Sequence, residues 1–313
     1  HLRDPRREEP RKIAIITYAL FDGGWMPHFL THYLEYTNAD IFIVAAGFEP
    51  CLSSSHLDSG RVQTIRLPSY QFCDWTKAYF FEVFSSGLRT TYDYTIICDI
   101  DEMVMAYSLG SGFLTNSLED ALFAIPTQSV IRCYGLNVAQ ADDEAPLSIN
   151  QPFFKQRTTI HPVTAMNKPS IFGDYHLVCG GQHFTDVACP VQPLEGQESP
   201  ISSFMFLNLH LKHSCRDTRL SVNKRFQAVN METDHLNSYY KLINDSEYTG
   251  YRHYLRLKDT QRVPLDSSRF MSFYSEWNKG LKTDGTSSIH SRFSAPQKAA
   301  DFLVCMPRHD TRS

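Results

Sequence analysis

Residues 94–103 read Tyr94-Thr95-Ile96-Ile97-Cys98-Asp99-Ile100-Asp101-Glu102-Met103, an apolar run that delivers three acids. A short apolar run bounded by polar residues is the pattern of a strand buried on both faces, as in a parallel sheet. The acids stand at its C-terminal end, where open α/β sheets bind their ligands. Asp99 and Asp101 are therefore expected to face a bound molecule. If the strand geometry persists they point the same way, and can share one hard cation, Mg²⁺ or Mn²⁺, through carboxylate oxygens. A cation bridging a diphosphate would neutralise charge building on the leaving group as a sugar–phosphate bond breaks. The competing reading is that these acids only cap the turn after the strand.

The neighbours of this run repeat its logic. Residues 12–18 form a first buried strand ending near Asp22, Gly23 and Gly24, and residues 26–37 carry Phe29, Leu30, Tyr33, Leu34 and Tyr36 at helical spacing. A second strand follows at 39–46, a third at 62–67, a helix at 75–90, and the strand 94–98 before the acids. Strands alternating with helices predict a mostly parallel central sheet covered on both faces. Beyond about residue 110, Pro, Gly and aromatic residues punctuate short strand-like runs such as 129–134, which reads as a mixed α+β half. Residues 141–146 and 190–200 read as acidic surface loops, and 211–240 as one or two helices. The expected organisation is a charged linker over 1–12, a main domain over 13–250 divided at 110, and an extension over 251–313.

Composition narrows the function classes. The chain has 313 residues with 30 Lys+Arg against 34 Asp+Glu, a formal net charge of −4. At about 150 residues per domain, that length allows one large α/β domain or two smaller ones. The mild negative charge gives no general attraction to nucleic acid, which needs clustered Lys and Arg. No apolar stretch approaches the roughly 18 residues of a bilayer crossing, although an anchor could have preceded His1. Eight cysteines without a Cys-x-x-Cys pair argue against a zinc ribbon and favour buried thiols. The sequon at Asn244 is compatible with a secretory or Golgi lumen, and a cytoplasmic location peripheral to a membrane is open as well.

Asp99-Ile-Asp-Glu-Met103 resembles the Asp-x-Asp-Glu-Phe signature of family-2-like and family-92-like glycosyltransferases, which adopt the GT-A nucleotide-sugar-binding fold. Further pieces stand in the family's order. Residues 29–35 are similar to its first helix, Tyr92-Asp93-Tyr94 to its Tyr-Asp-Trp, and Lys168-Pro-Ser-Ile-Phe172 to its Lys-x-Ile segment. Leu207-Asn-Leu-His210-Leu-Lys212-His213-Ser214, with Lys224 further on, is similar to its Asn-His-Tyr-x-x-Lys-Ser box. Met103 stands where the family has Phe, and Leu211 where it has Tyr.

The resemblance implies a GT-A-like α/β fold and a metal-dependent glycosyltransferase of the hexosyltransferase type. It would move sugar from a nucleotide-diphospho-sugar, UDP- or GDP-linked, to a hydroxyl of a glycan or other acceptor. Asp101 would be the principal ligand of Mn²⁺ or Mg²⁺, Asp99 would touch ribose or metal, and His210 would complete the metal or pyrophosphate site. An inverting transfer needs a base for the acceptor proton. Asp186, after the Gly180-Gly181 pair, is the candidate, and Asp174, Glu195, Glu198 and Asp217 compete with it. Thr17, Tyr18 and Ala19 at the end of the first strand are expected at the base or ribose. Lys77, Lys168 and Lys212 are the expected donor-binding lysines. Aromatic residues between Tyr239 and Trp277 suit either an acceptor sugar or core packing. Two alternatives stay open: a haloacid-dehalogenase-type phosphatase using Asp99 as nucleophile, and a noncatalytic carbohydrate-binding protein.

Overall fold

The computed structural model describes residues 10–21, 24–68, 74–108, 118–123, 125, 130–141, 143–162, 166–173, 204–218, 221 and 261–262. Its first part consists of β1 (Ile13–Ala19), α1 (Met26–Tyr36), β2 (Asp40–Ala46), α2 (Ser54–Asp58), β3 (Val62–Leu67), α3 (Asp74–Leu88) and β4 (Tyr94–Ile97). β3, β2, β1 and β4 lie side by side in that order, all parallel. Every residue of β1 is buried, as a strand covered on both faces must be. Alternation divides its side chains between two cores. Ile13, Ile15 and Ala19 pack with Phe29, Leu30 and Tyr33 of α1, while Ala14, Ile16 and Tyr18 pack with Phe81 of α3. Helices thus cover both faces, as the alternating pattern predicts. At the C-terminus of α1 the Thr37 hydroxyl donates to the Tyr33 carbonyl at 2.6 Å, satisfying one of the carbonyls a helix end leaves open.

The chain does not continue along the β4 direction. The Glu102 N–H donates to the Asp99 carbonyl at 2.9 Å, closing a turn through Ile100 and Asp101. The expected extended geometry from Asp99 to Asp101 is corrected accordingly: a turn intervenes, and the two carboxylates find separate partners. β5 (Glu102–Ser108) then opens a second sheet, followed by α4 (Leu118–Phe123), β6 (Val130–Arg132), β7 (Tyr134–Ala139), α5 (Phe153–Gln156), β8 (Thr159–Pro162), β9 (Pro169–Phe172), β10 (Phe204–His213) and β11 (Gln261–Arg262).

β9 and β6 extend the first sheet to the order β3-β2-β1-β4-β9-β6, with β9 antiparallel to both neighbours. The second sheet has the order β11-β8-β7-β10-β5, in which β10 runs antiparallel to β5 and parallel to β7. The expected combination of a mostly parallel sheet and a mixed second half is what the chain adopts. Residues 211–213, expected to open a helix, complete β10, because Leu207, Leu209 and Leu211 enter the core on alternate positions. One apolar cluster unites β1 and α1 with β5, β7 and β10. The end of β10 is tied down by buried Arg157, which donates to the carbonyls of Ser214 at 2.5 Å and Ala145 at 2.7 Å.

Cys51, Cys98, Cys133 and Cys215 are thiols, the first exposed and the others buried. Among the described residues no helix is long and apolar enough to cross a membrane.

Candidate functional site

The turn between β4 and β5 sits beside β1, at the C-terminal edge of the parallel strands, and it separates the acids into two groups. The inner group contains Asp99 and Glu102. Lys77, from the first turns of α3, reaches Asp99 Oδ1 at 2.9 Å. Lys168, just before β9, lies 3.4 Å from Asp99 Oδ2 and 2.5 Å from Glu102 Oε1. The other Glu102 oxygen accepts the Asp99 N–H at 3.3 Å, so one side chain closes the turn from within. Lys77, Lys168 and Glu102 are buried, and the quartet is neutral as two cations and two anions. Burial alone would push the Asp99 carboxyl up, but Lys77 and Lys168 outweigh it and hold the group well below the usual carboxylate range. Burial likewise opposes the charge on Lys168, and the facing Glu102 and Asp99 carboxylates reverse that and raise its ammonium.

The outer group contains Asp101 and His210. Asp101 Oδ2 lies 3.3 Å from His210 Nε2, and the Asp101 backbone carbonyl accepts the Leu211 N–H at 2.7 Å. The turn is therefore stitched to β10 immediately after His210. Burial opposes ionisation of Asp101, yet the His210 ring outweighs it, with help from Lys212, and brings the carboxyl down to about 2. On the far side of the ring, Nδ1 is 2.6 Å from Asn137 Oδ1. Asn137 is the direct register partner of His210 between β7 and β10.

No protein-family model and no curated protein matches the chain. Among solved structures it is similar to the crystal structure of S. aureus TarS 1-349, at 10% identity over 77% of this chain and 73% of that one, with a TM-score of 0.27. It is also similar to the crystal structure of S. aureus TarS, at 10% identity over 79% of this chain and 46% of that one, with a TM-score of 0.28.

The structure thus brings together six of the residues singled out in the sequence: Lys77, Asp99, Asp101, Lys168, His210 and Lys212. Thr17, Tyr18 and Ala19 lie in β1 and are buried, so the exposed surface at that end begins with the half-buried Leu20 and Phe21. Asp186, with its competitors Asp174, Glu195 and Glu198, lies outside the described residues, as do Lys224, the sequon and the aromatic residues from Tyr239 to Trp277. Asp217 is described, in the short helical turn after β10. Asn137 is a site residue that sequence reasoning missed. It stands in a run of buried residues, and its partner comes from a strand distant in sequence, so neither periodicity nor spacing marks it.

A carboxylate oxygen and an imidazole nitrogen on one side, with the charge of Lys212 nearby, can receive a divalent cation and the anion it carries. Among the described residues no three His, Cys, Asp or Glu side chains form a metal-binding group. Both oxygens of Asp99 face ammonium groups, which leaves Asp101 and His210 as the pair whose donor atoms face each other.

Proposed function

We propose that this chain is a metal-dependent glycosyltransferase of the GT-A type, moving a hexosyl group from a nucleotide-diphospho-sugar to a hydroxyl of a glycan or other acceptor with inversion. The observation that carries the reading is the convergence of Asp101 and His210, 3.3 Å apart, at the carboxyl edge of a doubly wound sheet. The donor set fits Mn²⁺ or Mg²⁺ that keeps positions for water and phosphate oxygens. Asp101 and His210 would hold the cation, and the cation would supply Lewis-acid stabilisation of the departing diphosphate.

The remaining work falls to the protein's own groups. Lys212 places positive charge beside Asp101, where a bound diphosphate would gather negative charge. Asp99, held by Lys77 and Lys168, keeps the turn in shape and offers its exposed edge to the ribose of the donor. Asp186 takes the proton of the acceptor hydroxyl in this reading, on the face opposite the leaving diphosphate.

A thermal-shift panel of UDP-, GDP- and CMP-sugars, each with and without Mn²⁺, tests the proposal, because a ligand that binds only the folded chain raises its melting temperature. One nucleotide sugar stabilising only with Mn²⁺ is the expected outcome, and it names the donor. Stabilisation by phosphate or a phosphate mimic, with no response to any nucleotide sugar, would replace this reading with phosphoryl transfer through Asp99.

A further inference from the structure

We propose that Asn137 is a positioning residue that keeps the proton of the His210 ring on Nδ1, so that Nε2 and Asp101 form a ready pair of donors for a divalent cation. The inference rests on the cation reading above and extends it to a residue that would touch neither cation nor substrate. An amide oxygen has lone pairs and no hydrogen, so the 2.6 Å approach of Asn137 Oδ1 to His210 Nδ1 requires the proton to be on Nδ1. Nε2 is then the nitrogen turned to Asp101 Oδ2, at 3.3 Å, close enough for the two atoms to share one cation.

The contact between Asn137 and His210 stands on paired strands. Asn137 and His210 are register partners of β7 and β10, and Gly135 and Asn208 are partners two residues earlier. Asp101 is fixed from the other side by its carbonyl, which accepts the Leu211 N–H at 2.7 Å. Asn is depleted in strands, and burying its amide costs free energy unless a hydrogen bond offsets it. Asn137 is nonetheless only 3% exposed. A hydrogen-bonded partner on the outer nitrogen sets both the orientation and the basicity of a ligating imidazole, and losing it typically weakens metal binding about 10- to 100-fold.

Mn²⁺ alone, titrated into the full chain and followed by the electron paramagnetic resonance of the free ion, tests the inference. Asn137→Leu is expected to weaken Mn²⁺ binding about 10- to 100-fold. Asn137→Asp, which keeps an acceptor oxygen facing Nδ1, should bind close to wild type. Proton–nitrogen correlation spectra of the ring should place the His210 proton on Nδ1 in wild type and Asn137→Asp, and lose that preference in Asn137→Leu. These spectra provide a readout independent of activity, and the Asp variant covers the case in which Leu fails to fold. Wild-type affinity and tautomer in Asn137→Leu, alongside lost binding in His210→Ala, would overturn the role of Asn137 and leave the cation reading standing. Unchanged binding in both His210→Ala and Asp101→Asn would overturn the cation reading itself, and the inference with it.

Discussion

Lys168 Nζ lies 2.5 Å from Glu102 Oε1, with both side chains buried beneath the turn that carries Asp99 and Asp101. This ion pair gives the acidic motif a division of labour. Glu102 and Asp99 face two lysines, whereas Asp101 faces His210. The two carboxylates are thus held by different partners, and the charge of Asp99 is offset by Lys77 and Lys168.

Lys168→Met should therefore destabilise the chain strongly. Removing one partner of a buried pair leaves the other charge uncompensated, a loss of about 3–5 kcal/mol. Lys168→Met combined with Glu102→Gln should recover much of that loss, because the double variant strands no buried charge. Urea midpoints of the single and double variants measure it. A single variant as stable as wild type would show that Glu102 is solvated or protonated, and the quartet would lose its structural role.

Gly135→Ala tests the packing above the polar face of the second sheet. A methyl group at this position would overlap the backbone carbonyl of Met166, which cannot rotate out of the way as a side-chain end can. The same strand segment binds the Met166–Lys168 stretch through the Gly135 N–H, which donates to Asn167 Oδ1 at 2.7 Å. Overpacking here should cost about 1–3 kcal/mol and loosen the hold of Lys168 on Glu102. Thermal unfolding of the variant checks the cost, and a melting temperature equal to wild type would show that the segment yields freely.

The first half of the fold was legible because its strands are buried on both faces and read as continuous apolar runs. The strand expected over 62–67 is β3 residue for residue, and α1 and α3 start and stop within two residues of the expected ends. The end of β10 was read as the start of a helix, although Leu207, Leu209 and Leu211 alternating with Asn208, His210 and Lys212 is the period-2 pattern of a half-buried strand. The candidate cation ligands followed from sequence, whereas their separation by a turn did not, since an acid motif at a strand end is compatible with either geometry. Asn137 needed the β7–β10 pairing before its partner could be known.

Tyr33→Phe isolates a contact that protects the edge of the second sheet. β5 is the last strand of that sheet, and its Val104 N–H donates to the Tyr33 hydroxyl at 2.8 Å instead of to another strand. The hydroxyl also lies 3.5 Å from Cys98 Sγ, directly behind Asp99. Burial pushes the phenol well above its ordinary range, so the hydroxyl stays neutral. Removing it leaves a buried N–H without an acceptor, at a cost of about 1–3 kcal/mol. Equilibrium unfolding should show this loss, and amide hydrogen exchange should speed up at Val104. Unchanged exchange at Val104 would mean that another acceptor replaces the hydroxyl.

His32 should make the chain acid-sensitive in a defined window. The ring is 4% exposed, packed against Tyr33, Tyr36 and Phe153, and its Nε2 approaches the Val104 carbonyl at 3.5 Å. Burial lowers its pKa from 6.5 to about 4, and the Val104 carbonyl offsets only part of that. Between those values the unfolded chain binds a proton that the folded chain refuses, so stability falls as pH falls. The contribution is fully present above pH 6.5, declines below it and is lost near pH 4, in total about 3 kcal/mol at 1.36 kcal/mol per unit. His28, whose pKa burial also lowers, acts in the same direction, so the comparison must isolate His32. Urea midpoints at pH 7 and pH 4.5 should differ less in His32→Phe than in wild type, because the variant has no ring to protonate. An identical pH dependence in both proteins would show that His32 accepts its proton within the fold without penalty.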